Sequence, residues 1–201
     1  MVKSGLVDDP NVSQYRLTAH LGMAVFIYSL ILWTVFDLSL NYNHAIRSRI
    51  KWMSSTLTLL IFLMILSGGL VAGTRAGIPF PTWPLMGDTF IPPQIYSMNP
   101  SWLSAFEDMA TIQFNHRMFA YLLTIFIVIF AIVLLGSNVP RFLKNGTTVL
   151  LFVLSLQVVL GISTLLFYIP IPVAAAHQVG AIALLSVSLF ITHSCLSREQ
   201  I

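Results

Sequence analysis

Five long apolar runs divide this chain, and polar or proline-rich segments separate them. The runs cover about residues 17–40, 52–73, 112–135, 147–168 and 172–194. A helix of about 20 residues crosses a hydrocarbon layer of roughly 30 Å, and each run reaches that length. The composition agrees, because 57% hydrophobic and 8% charged residues leave too little polar surface to cover a soluble globule. The pattern predicts an all-α integral membrane protein with five transmembrane helices.

The basic residues are few and lie mainly in two connections between the predicted helices. Positively charged connections face the cytoplasm or the mitochondrial matrix, so their distribution predicts an outside N-terminus and an inside C-terminus. The connection over residues 75–111 carries more acidic than basic residues, which fits the opposite side. The net charge of +3 is scattered over loops, so it indicates no nucleic-acid surface. The basic residues that carry this argument are Arg47, Arg49, Lys51, Arg141 and Lys144 in the connections and Arg198 in the C-terminal tail.

Residues 75–111 form the longest connection and contain six prolines together with Trp83 and Trp102. Proline breaks a helix interior, so this connection cannot be one continuous helix. Long structured loops are often functional, and we expect this one to lie at the membrane interface as a lid over the helix ends. A passive connector is the alternative. Just before it, the spacing of Gly69 and Gly73 predicts close packing of the second helix against a neighbour.

Three histidines, His20, His116 and His177, lie about one turn inside the same end of the first, third and fifth predicted helices. An imidazole in hydrocarbon costs free energy unless a partner satisfies it, so their equal depth suggests a shared ligand, either a metal ion or a haem. Two imidazoles on facing helices can hold a haem iron from both sides, which favours electron transfer. A hydrogen bond to a neighbouring helix is the alternative for each histidine.

The residues around these histidines suit a flat, acidic cofactor. The alanines at 174–176 and Gly180 leave room beside His177. Arg117 and Arg75 stand near the outer boundary, where they can bind haem propionates, although snorkelling to the interface would also explain them. The polar residues expected to bond a ligand or to orient a ring nitrogen are Asn115, Gln113 and Gln157.

Two other histidines and the single cysteine have no place in this site. We interpret His44 and His193 as solvated residues, because they lie at the inner helix ends. Cys195 is the only cysteine, so no disulfide can form within the chain.

Several segments of the chain resemble haem A synthase, an enzyme of cytochrome oxidase assembly. The match follows the order of the family's motifs and covers essentially the whole chain. Residues Met1 to Gly22 resemble the segment that joins the family's third and fourth helices. The other matching segments are Gly69 to Pro93 (GLVAGTRAGIPFPTWPLMGDTFIPP), Gln113 to Tyr121 (QFNHRMFAY), Gln157 to Leu165 (QVVLGISTL) and Pro172 to Gly180 (PVAAAHQVG).

The resemblance implies an eight-helix protein made of two similar four-helix halves. This chain then corresponds to helices four to eight, with residues 1–50 ending the N-terminal half and residues 51–201 forming the C-terminal, haem-binding half. Each half of the family holds a haem between two histidines. His116 and His177 match the haem b ligands of the C-terminal half. His20 matches one histidine of the N-terminal half, the substrate side, and its partner lies outside this sequence.

The activity that the resemblance implies is oxidation of the C8 methyl group of haem O to a formyl group, which gives haem A. The implied cofactor is haem b, with haem O as substrate and dioxygen as oxidant. An electron donor that the sequence does not name, haem O synthase, other assembly factors, membrane lipid and a second copy of the chain are the remaining partners compatible with it. The bacterial plasma membrane and the mitochondrial inner membrane fit equally well.

The first helices of the family are absent from this sequence. We therefore hypothesise that the chain is a fragment or a truncated gene model of a haem A synthase, so activity of the chain alone is not assumed.

Two other functions remain open at this point. The first is a b-type cytochrome, although all candidate ligands lie at one face, whereas electron transfer across a membrane usually uses haems at both. The second is a transporter or a non-catalytic assembly subunit, although Gln157 is the only strongly polar residue well inside the fourth predicted helix. No continuous polar path therefore crosses the predicted bundle.

Overall fold

The computed structural model describes residues 13–40 and 45–196. Five long helices of 26 or 27 residues are long and apolar enough to cross a membrane. This confirms the predicted all-α membrane fold. The helices begin up to six residues before the apolar runs, because polar residues also continue the helical hydrogen bonds. They are α1 (Gln14–Ser39), α2 (Ser48–Thr74), the short α3 (Ser104–Glu107), α4 (Met109–Leu135), α5 (Arg141–Leu166) and α6 (Ile171–Leu196).

Four of the long helices form a closed ring. In order around the ring, α2 packs against α4, α4 against α5, α5 against α6, and α6 against α2. As a result α4 and α6 lie diagonally across the ring, whereas α1 packs outside it against α2 and α6. The ring contains the four helices assigned to the C-terminal half. The division of the chain at residue 50 itself remains a prediction.

A compact apolar core fills the part of the ring farthest from residues 75–108. Its fully buried side chains come from all four ring helices and include Leu57, Ile127, Phe130, Leu150 and Leu185. The outward faces are equally apolar but exposed, and they carry side chains that a soluble protein would bury. Exposed apolar surface of this extent is typical of a lipid-facing bundle.

Glycines let α1 and α2 approach closely. A Cβ added at Gly73 would lie 2.7 Å from Cα of Gln14, and one added at Gly69 would lie 3.1 Å from Oγ1 of Thr18. Contacts this short leave no space for a side chain, so the two backbones meet at these positions. The predicted close packing at Gly69 and Gly73 is confirmed.

The segment over residues 75–108 covers one end of the bundle, which we call the outer end. Arg75 ends α2 in the left-handed conformation, with φ of 56°, and turns the chain away from the helix. A single turn of 3-10 helix over Ser101–Leu103 and the short α3 precede α4. Asp108 then caps α4, because its side chain accepts a hydrogen bond from the backbone N–H of Thr111 at 2.8 Å. The segment is structured and is not one helix, as predicted.

His193, at the opposite end of α6, is buried, and its interpretation as a solvated residue was wrong. Its Nε2 lies 2.7 Å from Oδ1 of Asp37, and the rings of Trp33 and Phe36 pack around it. These three partners all lie on α1, so the packing of α1 against α6 contributes to the burial of the imidazole. The other histidine interpreted in this way, His44, lies outside the described residues.

Candidate functional site

His116 and His177 face the interior of the ring at the same depth. Each lies six or seven residues after the first residue of its helix, which is α4 for His116 and α6 for His177. Because α4 and α6 are diagonal, the pair spans the ring and does not form a contact between neighbouring helices.

His116 is held by α2. Its Nδ1 lies 3.0 Å from Oγ of Ser67, and a hydroxyl group can either donate to or accept from that nitrogen. The next residue of α2 is Gly68, where an added Cβ would lie 3.6 Å from Cε1 of His116. The imidazole therefore rests against bare backbone and one small hydroxyl.

His177 is held by α5 in a different way. The side-chain amide of Gln157 fits its surroundings when its nitrogen faces His177, and it then donates to Nδ1 at 3.2 Å and to the backbone carbonyl of His177 at 3.0 Å. The amide oxygen accepts from the backbone N–H of Ala181 at 3.2 Å. Glycines make room for this arrangement. A Cβ at Gly180 would lie 1.8 Å from the end of the Gln157 amide that faces Ala181, and one at Gly161 would lie 3.0 Å from Cε1 of His177.

The ligand nitrogens of both rings remain available. Nδ1 of each imidazole has a side-chain partner, but across residues 13–40 and 45–196 Nε2 of neither ring has a hydrogen-bond partner. The donor chemistry fits a haem iron, for which two neutral imidazoles are a standard ligand pair. Gly161 also fits a flat ring system, because a side chain there would crowd the imidazole of His177, whereas an added Cβ at Gly68 would make an ordinary contact with His116. The residues present therefore suit haem.

His20 does not join this pair. It lies six residues after the start of α1, at a depth comparable to the other two, but it is exposed on a helix outside the ring. Within the described part of the chain, no group of three or more His, Cys, Asp or Glu side chains could hold a metal ion. The structure thus provides no metal site shared by the three histidines, and the alternative of a two-histidine haem site remains.

Arg117 and Gln113 bind the segment that covers the outer end. The guanidinium of Arg117 donates to the carbonyls of Leu85 at 3.2 Å, Phe80 at 3.0 Å and Thr82 at 2.8 Å. Gln113 donates to the carbonyl of Phe80 at 3.0 Å. Both side chains are buried, so this part of α4 fixes residues 80–85 beside the histidine pair. Arg75, by contrast, is exposed at the end of α2.

The later part of the segment is also attached to α4. The hydroxyl of Tyr96 donates to Oδ1 of Asn115 at 2.9 Å, and the backbone N–H of Tyr96 donates to Oγ1 of Thr111 at 3.1 Å. Glu107 connects the segment to α1, because its carboxylate accepts hydrogen bonds from Gln14 at 2.8 Å and from the hydroxyl of Tyr15. Of the predicted polar residues, only Gln157 contacts a histidine ring.

Sequence reasoning missed Ser67. It lies on a helix without a histidine, and no spacing within the sequence relates a serine on α2 to a ring on α4. The nearby Gly69 and Gly73 predicted only a packing surface, although the small residues Ser67 and Gly68 also mark where α2 can approach another group.

The fold and this site define an all-helical integral membrane protein in which a four-helix ring holds a histidine pair on its diagonal. Residues 1–189 match the COX15-CtaA family, described as cytochrome oxidase assembly protein. The chain belongs to that family.

Curated relatives support the assignment. The chain is 45% identical to the haem A synthase of Nitrosospira multiformis, and the match covers 96% of this chain and 55% of that protein. It is 39% identical to the haem A synthase of Parvibaculum lavamentivorans, with the same coverage of 96% and 55%. It is also 39% identical to the haem A synthase COX15 of Bos taurus, over 95% of this chain and 49% of that protein. The chain spans about half the length of these relatives.

Proposed function

We propose that this chain is the part of a haem A synthase that binds haem b between His116 and His177. The observation that carries the proposal is the pair itself, with both Nδ1 atoms engaged and both Nε2 atoms without a partner on diagonal helices. A bis-histidine haem b supplies one-electron transfer when bound. The reaction of the whole protein is oxidation of the C8 methyl group of haem O to a formyl group, and the haem A produced serves cytochrome oxidase.

The residues of this chain orient the ligands and enclose the site. Ser67 and Gln157 fix the planes of the two imidazoles from neighbouring helices. Arg117 and Gln113 keep residues 80–85 over the outer end, which limits the access of water. Arg75 is the exposed cation that can bind a propionate. Arg117 donates three of its five N–H groups to the outer segment, so its other two N–H groups are the ones that can bind a propionate.

His20 belongs to the substrate side of this proposal. It is exposed on α1, and a haem O substrate bound there would lie outside the four-helix ring with its apolar tail in lipid. A second histidine, from the N-terminal half of the family and outside this sequence, would complete the pair with His20. Dioxygen would be the oxidant, and a membrane partner would deliver the electrons. We propose that the N-terminus lies outside and the C-terminus lies in the cytoplasm or matrix, as the charges of the connections indicate.

The test is a reduced-minus-oxidised absorption spectrum of the purified chain, with the extracted haem identified by chromatography. We expect haem b with a six-coordinate, low-spin spectrum that is lost in both His116→Ala and His177→Ala. His20→Ala is the matched control, because it removes an equally deep histidine outside the ring and should leave the spectrum unchanged. A low-spin spectrum that survives either substitution in the ring would contradict the site. Should the chain alone bind no haem, the same variants in a chain joined to the preceding helices of a relative decide the question.

A b-type cytochrome is the second candidate, because the histidine pair by itself supports electron transfer. His20 separates the two functions in the joined chain. Loss of haem A formation with haem b retained in His20→Ala favours the synthase. If the joined chain retains haem b but does not convert haem O even with His20 intact, the result favours the cytochrome.

A further inference from the structure

The two imidazoles of the pair have partners of different chemistry. A serine hydroxyl satisfies either neutral form of His116, since it accepts from a protonated Nδ1 and donates to an unprotonated one. The amide of Gln157 has no such freedom, because each of its ends is fixed by a backbone group of α6. Its nitrogen faces the carbonyl of His177, and its oxygen faces the N–H of Ala181.

This orientation of Gln157 determines the position of the proton on His177. An amide N–H directed at Nδ1 requires an unprotonated Nδ1, so the neutral ring carries its proton on Nε2. Iron bound at Nε2 requires the opposite form, with the proton on Nδ1. The proton would then face the amide N–H of Gln157, and relieving that repulsion by turning the amide would lose the two bonds to the backbone of α6.

We propose that Gln157 makes His177 the weaker, exchangeable ligand, whereas Ser67 leaves His116 as the firm one. The inference rests on the proposed haem site and assigns its two ligands different roles. His177 is then the side at which a small molecule can replace an imidazole on the iron. Gly180 takes part in this arrangement, because any side chain there would displace the Gln157 amide.

The first experiment needs no haem. Nitrogen-15 NMR of the haem-free chain labelled at histidine, with His177→Ala used for assignment, reports which ring nitrogen carries the proton. We expect the proton of His177 on Nε2 in the native chain and an increased share on Nδ1 in Gln157→Leu. A His177 ring that already carries its proton on Nδ1 in the native chain would overturn the inference, whether or not the chain later binds haem.

The second experiment compares two substitutions for which opposite outcomes are expected. Ser67→Ala removes the partner of the firm ligand and should weaken haem binding by about tenfold, the lower end of the range for such outer partners. Gln157→Leu removes a group that opposes ligation and should slow the displacement of a histidine by carbon monoxide from the reduced haem by a similar factor, about tenfold. If Gln157 were an ordinary orienting residue, Gln157→Leu would weaken haem binding as Ser67→Ala does, and the proposal would fail.

Gly180→Ala provides a second test of the role of Gln157, so that the conclusion does not depend on Gln157→Leu alone. It displaces the amide without removing it, so its effect on carbon monoxide binding should have the same sign as that of Gln157→Leu. Opposite signs in these two variants, with helix content unchanged by circular dichroism, would also contradict the proposal. The low-spin spectrum of the native chain separately tests the haem site itself.

Discussion

The carboxylate of Glu107 accepts a hydrogen bond from the side-chain amide of Gln14 at 2.8 Å, although 93 residues separate them. The same carboxylate accepts from the hydroxyl of Tyr15. One acidic residue at the end of the outer segment thus binds the first turn of α1. The bond lies beside the contact of α1 with Gly73, so the two features together fix the outer end of α1 against the ring.

Replacing Glu107 should loosen the outer end of α1. Hydrogen bonds to a charged group contribute about 1.5–3 kcal/mol when shielded, but this site is exposed, so we expect a loss of about 1 kcal/mol for Glu107→Ala. The loss of stability is measured by unfolding the protein in mixtures with an increasing share of denaturing detergent. Glu107→Gln should retain part of the effect, because its amide oxygen can still accept one hydrogen bond. Equal stability of the native chain and Glu107→Ala would show that the bond contributes nothing.

Arg117→Leu should release residues 80–85 from the outer end. The substitution removes three hydrogen bonds, but the carbonyl of Phe80 keeps Gln113 and that of Leu85 keeps the hydroxyl of Thr82. The carbonyl of Thr82 loses Arg117, at a cost of about 1–3 kcal/mol where it stays buried. The segment will avoid that cost by opening to water. Hydrogen exchange over residues 80–90 should therefore rise strongly while exchange in α5 stays unchanged. Arg75→Leu is the control, because this exposed arginine has no such contacts, and an equal rise there would refute the assigned role.

Gly73→Ala should separate α1 from α2. The added Cβ would lie 2.7 Å from the Cα of Gln14, and backbone atoms cannot turn aside as a flexible side chain does. Overpacking of this kind costs about 1–3 kcal/mol. The predicted readout is a lower midpoint of detergent unfolding and faster proteolysis of α1. Ala72→Ser changes an exposed neighbour and should alter neither, so a similar effect in both variants would exclude the packing explanation.

Asp37→Ala should destabilise the inner end of the bundle. It removes the partner that lies 2.7 Å from Nε2 of buried His193. We expect a loss of about 1–3 kcal/mol, the usual cost of removing a hydrogen-bond partner from a buried polar group. Trp33, whose ring centroid lies 5.0 Å from that of His193, gives a fluorescence probe of this region. Asp88→Ala is the control at an exposed position, and it should change neither the stability nor the fluorescence.

The sequence was sufficient for the number of helices and for the identity of the histidine pair. Apolar runs long enough to cross a bilayer are a local property, so all five were found, with errors only at their ends. The cost of an imidazole in such a run selected three histidines, and the family resemblance selected His116 and His177 among them. Gln157 was one of three polar residues expected to bond a ligand or to orient a ring nitrogen, and it is the one that contacts a histidine ring.

The sequence could not predict the order of the helices around the ring, because that order depends on which helices pack together. Equal depth suggested that His20 shares a ligand with the other two histidines, but α1 packs outside the ring and leaves His20 exposed. His193 was misread for the converse reason, since α1 covers it. Arg117 was expected at the propionates, whereas in the folded chain its guanidinium donates to three backbone carbonyls of the outer segment.

Hydropathy and spacing by themselves determined that this chain is a helical membrane protein with three histidines at one depth. Both properties arise from the length of a helix and the cost of a polar group in hydrocarbon, and each can be read from a single segment. Tertiary structure alone decided that α4 and α6 are diagonal, that Ser67 meets His116, and that backbone groups of α6 orient Gln157. These relationships come from the packing of different helices, in which glycines set the distance of approach, and no single segment contains that information.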